Sequence, residues 1–267
     1  MTSTTGGPRP FDCLWCGRAW QPRAADDLEA GARLCPDCLG RAGENPFLRF
    51  RLRAALEARA AAASPATAPA AATGPADMDD WYLRRGVHAR GPAHDLAWQM
   101  ELDVATTWLD ALPLHGEIVE LAAGTGWWSA LLATKGDLHA YDASGANLDR
   151  ARERLLAHRL RAHLHVRDPW FPPDRPVDAV VVPLALGGVP AGRRADVLAL
   201  LRAWLRPGGL AALVSVRADP ATGALAGAAP LTLEPGELAA GLAAAGFTNV
   251  TTQATGRFFL LASGTAA

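Results

Sequence analysis

Lysine is almost missing from this chain: Lys135 is alone among the 26 basic residues, and the rest are arginine. With abundant alanine beside it, this reads as high-GC coding bias rather than a functional device. Net charge is also missing. The formal value is -1 with a pI near 6.7, which argues against coating nucleic acid or an anionic membrane through bulk charge, although local basic patches stay open. No run approaches the roughly 18 to 20 uninterrupted apolar residues of a membrane span. The start "MTSTTGGPRP" has no apolar signal core. These absences lead to the expectation of a cytoplasmic protein with no membrane partner. No repeat of fixed period is found either. What is present is length and apolar content: 267 residues, 50% of them hydrophobic, enough for one large domain and a small one.

All four cysteines lie in residues 11–40. "CLWCG" and "CPDC" set Cys13, Cys16, Cys35 and Cys38 as two C-x2-C pairs with 18 residues between them. Two-residue spacing lets both thiolates of a tight turn face one tetrahedral ion, and a second such turn completes a four-thiolate site. Structural Zn2+ is the favoured reading; disulfides or a redox C-x-x-C are the alternatives. A thioredoxin-like reading would need a βαβ context around one pair, which is missing. The segment resembles a zinc ribbon or a related knuckle module. A closed four-thiolate site leaves no open coordination position, so the metal is expected to fold the segment and do no chemistry. Nine arginines against seven acids over residues 1–60 do not favour a nucleic-acid-binding ribbon. Trp15 and Trp20 suit a miniature core better than stacking on a base.

The chain divides into a zinc module at 1–44, a helix at 45–63, an Ala/Pro linker at 64–76 and a main domain at 77–267. In the main domain the patterns predict a helix over 93–110 and strands at 117–122, 137–142, 162–167, 177–183 and 209–216. Helices are expected near 127–135, 145–159, 191–205 and 235–245. Alternation of this kind favours a parallel sheet covered on both faces, an α/β fold. "FTNVTTQATGRFFLLAS" instead carries a hairpin signal, two β-rich runs around "ATG".

Within the first strand-loop-helix unit stands "VELAAGTGWW" (119–128). A glycine loop after an apolar strand lets backbone approach a nucleotide cofactor where a side chain would collide. Ser129 stands where a dinucleotide fingerprint would want its third glycine. The stretch instead resembles motif I of class I S-adenosylmethionine-dependent methyltransferases, with Glu120 as the acid, Ala122 replacing the first glycine, and Gly124 and Gly126 matching the others. "DLHAYDA" ends in Asp142, where the family keeps an acid for the ribose hydroxyls. "AHLHVRDPW" reaches Asp168, resembling the acid that binds the adenine amino group, and "VDAVVVPLAL" and "LRPGGLAALVSV" resemble later landmarks.

The resemblance covers about residues 116–262. It implies a seven-stranded, mostly parallel sheet with a C-terminal antiparallel hairpin, and S-adenosyl-L-methionine as cofactor. The cofactor residues it implies are Glu120, Ala122, Gly124, Thr125, Gly126, Trp128, Asp142, Ala143, Asp168, Pro169, Trp170 and Pro183. To these the leader adds Tyr82 and Arg90, because residues 77–115, including "WYLRRGVHARGPAHDLAWQMELD", resemble the cofactor-covering segment of small-molecule methyltransferases.

The acceptor is narrowed by further absences. "PLAL" after the fourth strand is not the [DN]-P-P-[FYW] used on exocyclic amines, and the cysteines are committed to the ribbon. One lysine excludes a Lys-Asp-Lys-Glu ribose methyltransferase. The reading reached is methyl transfer to a small-molecule acceptor in a bacterial biosynthetic pathway, with Trp81 and Tyr82 closing over the cofactor and Arg84, Arg85 and Arg90 pairing with an acidic group. His88 or His94 is the candidate general base. Two alternatives are kept. One is a ribosomal RNA base methyltransferase using the zinc module for recognition; the other is a non-catalytic zinc-dependent binding protein on a methyltransferase-like scaffold.

Overall fold

The computed structural model describes residues 11–13, 18–21, 35–49, 92–217 and 234–267. Cys16, residues 50–63 of the expected helix and the linker at 64–76 lie outside the described residues. So do Trp15 and the leader residues Trp81, Tyr82, Arg84, Arg85, His88 and Arg90, and the side chain of His94.

A short antiparallel pair, β1 (Phe11–Asp12) and β2 (Ala19–Trp20), and the helix α1 (Pro36–Glu44) come first. After α2 (Pro92–Ala111) the chain alternates: β3 (Glu117–Leu121), α3 (Ser129–Leu132), β4 (Asp137–Asp142), α4 (Gly145–Ala157), β5 (His163–Val166) and β6 (Val177–Pro183). It ends with α5 (Arg194–Trp204), β7 (Leu205–Val216), α6 (Pro235–Ala244), β8 (Phe247–Ala254) and β9 (Phe259–Ala266). Seven strands form one sheet in the order β5-β4-β3-β6-β7-β9-β8. The first five pair in parallel, while β9 runs antiparallel to β7 and β8 to β9. The expected mostly parallel sheet with a terminal hairpin is therefore present.

Three expected elements shift. The helix over 127–135 shrinks to the four residues of α3 because turns occupy both flanks. The helix over 191–205 splits into a 3-10 turn, Ala191–Arg193, followed by α5. The fifth parallel strand begins at Leu205 rather than 209, across an irregularity in its pairing with β6. Ion pairing explains the last shift. Arg206 meets Asp178 at 2.6 Å, and Asp178 accepts the Glu117 backbone N–H at 2.8 Å. The Arg206 hydrogen bond is the main reason that the Asp178 carboxyl is held below its ordinary range. This latch draws residues 205–208 onto the amino edge of the sheet.

Side-chain alternation builds two cores from one sheet. Val119, Leu121, Val180, Val182, Ala211 and Leu213 point to a face covered by α5 and α6. Ile118, Ala179, Val181, Ala212 and Val214 point to the other, where Trp98, Leu102, Ala105 and Leu109 of α2 pack. Glu101 of α2 also fixes the hairpin, accepting from Thr255 Oγ1 at 2.5 Å and from the Arg257 and Phe258 N–H groups at 2.8 Å.

The connection from β5 to β6 matters most for the cysteine segment. Residues 167–176 carry no helix, yet they must pass β4 and β3 to reach β6. A loop covers less apolar surface than a crossover helix. Cys13, Cys35, Cys38, Phe47 and Leu48 supply the missing cover and belong to the same buried cluster as Tyr141, Trp170 and Phe171. Phe47 meets Trp170 edge-on with centroids 5.5 Å apart. Such a pair contributes about 0.5–1.5 kcal/mol beyond its area. Arg18 pairs with Asp174 at 3.7 Å, and Trp20 packs on the same cluster. The expectation of a separate miniature core around Trp20 is thus corrected: the segment shares the core of the sheet because the sheet leaves a place for it.

Candidate active site

The chain runs from β3 outward to β4 and β5, then returns to the other side of β3 to form β6 and β7. In open α/β sheets, ligands bind outside the carboxyl ends of the strands at such a switch point. The loop 122–128 leaves the carboxyl end of β3 there. Asp142 ends β4, Asp168 lies two residues past β5, and Pro183 ends β6. Most of the residues singled out in the sequence are therefore brought to one edge of the sheet.

The loop is drawn tight by positive-φ residues: Ala122 at 52°, Gly124 at 58° and Gly126 at 78°. A Cβ at Gly126 would lie 2.7 Å from Ala151 Cβ and 2.9 Å from its Cα, so this glycine is required by packing against α4. Ala122, standing where the family resemblance has its first glycine, takes the left-handed conformation at a cost of about 1–2 kcal/mol for a residue with a Cβ. Freeing the unfolded chain costs about 0.4–1 kcal/mol. Ala122→Gly is therefore expected to leave stability unchanged or raise it by up to about 1.5 kcal/mol in denaturant unfolding. A clear loss would show that the methyl group earns its place by packing.

Asp142 organises the loop. Its Oδ2 accepts the Gly124 N–H at 2.9 Å, and its Oδ1 accepts the Ser144 N–H at 2.8 Å and Asn147 Nδ2 at 3.3 Å. A carboxylate has about four acceptor positions, so one is left for a ligand. The neighbouring Ala143 is exposed. Glu120 is fully buried. Its Oε2 accepts from Ser129 Oγ at 2.5 Å, while Oε1 is buried with no hydrogen-bond partner among the described residues. Burial first, and then the negative charge of Asp142, push its pKa up to about 8 against the pull of Ser129. An acid held in this way is suited to a cationic partner, whose arrival would satisfy Oε1 and offset the buried charge. Thr125 is buried, and its carbonyl accepts Arg154 Nε at 3.3 Å.

Asp168 Oδ1 accepts the Trp170 N–H at 2.9 Å in a local turn, with Pro169 buried beside it. Trp128 and Trp170, the two tryptophans expected at the cofactor, are both buried in apolar clusters. Trp128 is 2% exposed in the core under α2, its indole N–H bonded to Thr106 Oγ1 at 3.0 Å. The half-buried member of the pair is Trp127, with the Arg154 guanidinium 5.4 Å from its ring centroid. Trp170 lies between the sheet and Phe47. Both positions follow from the large apolar area of the indole, which tertiary packing claims first.

Among the cysteines, the ligand atoms of Cys13, Cys35 and Cys38 lie within 4.8 Å of one another. All three are buried with no disulfide among them, and the Cys35 N–H donates to Cys13 Sγ at 3.3 Å. Three converging thiols with a backbone donor to sulfur fit a thiolate-held metal.

Strand order, switch-point loop and hairpin together define the class I methyltransferase fold. Residues 118–209, which hold Glu120, the glycine loop, Asp142, Asp168 and Pro183, are matched by the family model described as a methyltransferase domain. No curated protein matches the chain. Among solved structures, DhpI in complex with SAH is 23% identical, with a TM-score of 0.53, and covers 71% of this chain and 95% of its own. A Burkholderia thailandensis 1,6-didemethyltoxoflavin-N1-methyltransferase with bound 1,6-didemethyltoxoflavin and S-adenosylhomocysteine is 19% identical, with a TM-score of 0.51 over 76% of this chain and 94% of that one. A Bordetella parapertussis protein described as a possible exported protein is 15% identical, with a TM-score of 0.56 over 86% of each chain. These likenesses concern the fold. No helix among the described residues is long and apolar enough to cross a membrane.

Proposed function

We propose that this protein transfers a methyl group from S-adenosyl-L-methionine to an O, N or C nucleophile on a small molecule, with Zn2+ as a structural metal in the cysteine segment. The observation that carries the reading is Glu120: a buried carboxyl with one bonded and one unpartnered oxygen, beside a glycine loop that Asp142 holds at the switch point. Glu120 holds the cofactor's ammonium group, Asp142 the ribose hydroxyls and Asp168 the adenine amino group. The loop 122–126 lets backbone pass close to the methionine part. The cofactor supplies an already activated methyl on a sulfonium centre. What is left to the protein is alignment for in-line displacement and removal of the acceptor's proton. For that proton the leader provides His88 and His94 as candidate bases, with Trp81 and Tyr82 closing over the cofactor and Arg90 as a further cofactor contact. A small acceptor is supported by the net charge of -1, and by the small molecule bound in the didemethyltoxoflavin enzyme of the same fold.

Calorimetry of the zinc-loaded chain with S-adenosylmethionine and with S-adenosylhomocysteine tests the reading. Binding of both in the micromolar range is expected. No binding to folded protein would leave a methyltransferase-like scaffold without catalysis. Tight, salt-sensitive retention of ribosomal RNA would move the acceptor from small molecule to RNA.

A further inference from the structure

A second set of ligating side chains stands at the opposite edge of the sheet. "DLH" puts Asp137 and His139 two apart on β4, hence on one face. His163, the first residue of β5, is the direct cross-strand partner of His139. The rings of His139 and His163 stack with centroids 4.5 Å apart. Asp137 Oδ1 lies 3.2 Å from His163 Nε2, and Asp137 Oδ2 lies 3.6 Å from His139 Nε2. The ligand atoms of all three residues fall within 4.8 Å of one another. Tetrahedral coordination with metal–nitrogen bonds near 2 Å needs ligand separations of about 3.3 Å. The two Asp137 edges, one through each carboxylate oxygen, are close to that length, and rotation of the exposed His163 ring out of its stack with His139 turns its lone pair toward the same ion.

We infer that Asp137, His139 and His163 form a binding site for a divalent late transition metal such as Zn2+, distinct from the cysteine cluster and from the cofactor edge. Among the described residues His139 Nε2 is buried with no hydrogen-bond partner, which is costly for a lone ring nitrogen and is resolved by a metal. The other ring nitrogen is already oriented: His139 Nδ1 is 3.1 Å from His165 Nε2. With the metal on Nε2, Nδ1 carries the proton and donates to His165, the supporting bond that metal-bound histidines regularly make. His165 is thus a positioning residue. Two imidazoles and one carboxylate match the late divalent ions better than Mg2+ or Ca2+. Asp137 and His163 are exposed, so the ion has an entry path and an open coordination position. Asp137 and Asp142 stand at opposite ends of β4, about 16 Å apart by strand geometry, so this metal does not touch the reacting groups. It fastens the four-residue edge strand β5 to β4.

The test is a calorimetric titration of the full chain with Zn2+, alongside His163→Ala, Asp137→Asn and His165→Phe. The first two variants are expected to bind one equivalent fewer than wild type, whatever the cysteines hold. His165→Phe should keep the equivalent with about 10- to 100-fold weaker affinity. With Co2+ as a second probe, the equivalent lost in His163→Ala should lack thiolate-to-metal absorption, and excess Zn2+ should raise the melting temperature of wild type more than that of this variant. Because both substituted ligands are exposed, loss of fold does not confuse the result. Equal stoichiometry and affinity in wild type, His163→Ala and Asp137→Asn would overturn the site and leave an ion-paired strand edge.

Discussion

Replacing Asp142 by alanine is expected to weaken S-adenosylmethionine binding by about 10- to 150-fold and to lower the melting temperature at the same time. The first effect follows from the proposed ribose contacts, since each hydrogen bond to a charged group is worth about 1.5–3 kcal/mol. The second comes from the structure. The carboxylate accepts from Gly124 N–H, Ser144 N–H and Asn147 Nδ2, and the Gly124 bond is buried. A buried donor left without a partner costs about 1–3 kcal/mol. The family resemblance points only to the ribose contact at Asp142 and by itself gives no reason for a loss of stability. In the folded protein the same carboxylate holds the loop that the cofactor must meet. Calorimetry and a thermal melt on one sample separate the two effects. Unchanged affinity with an intact melt would remove Asp142 from the cofactor site.

Glu120→Gln is expected to produce the other large change, and its sign depends on pH. The folded pKa of about 8 lies above the ordinary 4.5. Between these values the folded state keeps a proton that the unfolded state has released, so wild-type stability falls as pH rises from about 4.5 to 8. A shift of this size corresponds to a loss on the order of 5 kcal/mol across the window. Glutamine cannot ionise. Its variant should lose most of this slope, match or trail wild type near pH 4.5, and melt above it at pH 8. Cofactor affinity should move the other way, falling roughly 10-fold to 150-fold if the pair between carboxylate and ammonium is lost. In wild type the pairing requires Glu120 to ionise, so binding below pH 8 should release a proton and tighten as pH rises. Denaturant unfolding at several pH values checks the first claim, and calorimetry in buffers of different ionisation heat checks the second. A wild-type stability that does not change between pH 5 and 8 would show Glu120 ionised in the fold.

Much of the site was legible because it rests on local patterns. An apolar strand, an acid, a glycine loop and an acid at the end of the next strand are short-range features, and each strand end carries one of them. The two tryptophans of the loop show where this stops. Trp127 and Trp128 are adjacent and identical, and only packing against α2 puts the second in the core with its N–H on Thr106. The histidines of "DLHAYDA" and "AHLHVRDPW" show the same limit. Their spacing two apart was visible, whereas the cross-strand partnership of His139 and His163 required the register of β4 on β5.

By itself, then, the sequence determined the class of sheet, its hairpin and the glycine loop after β3, since hydrophobic period and turn chemistry act over a few residues. Tertiary structure decided three things. The cysteine segment joins the main core because the loop 167–176 leaves a sheet face open. Glu120 becomes a high-pKa acid because the strand that carries it is buried on both sides. Asp137, His139 and His163 converge because two strands separated by a helix lie next to each other. All three depend on contacts between residues distant in the chain, and the free energy of such contacts is set by what the fold places opposite them.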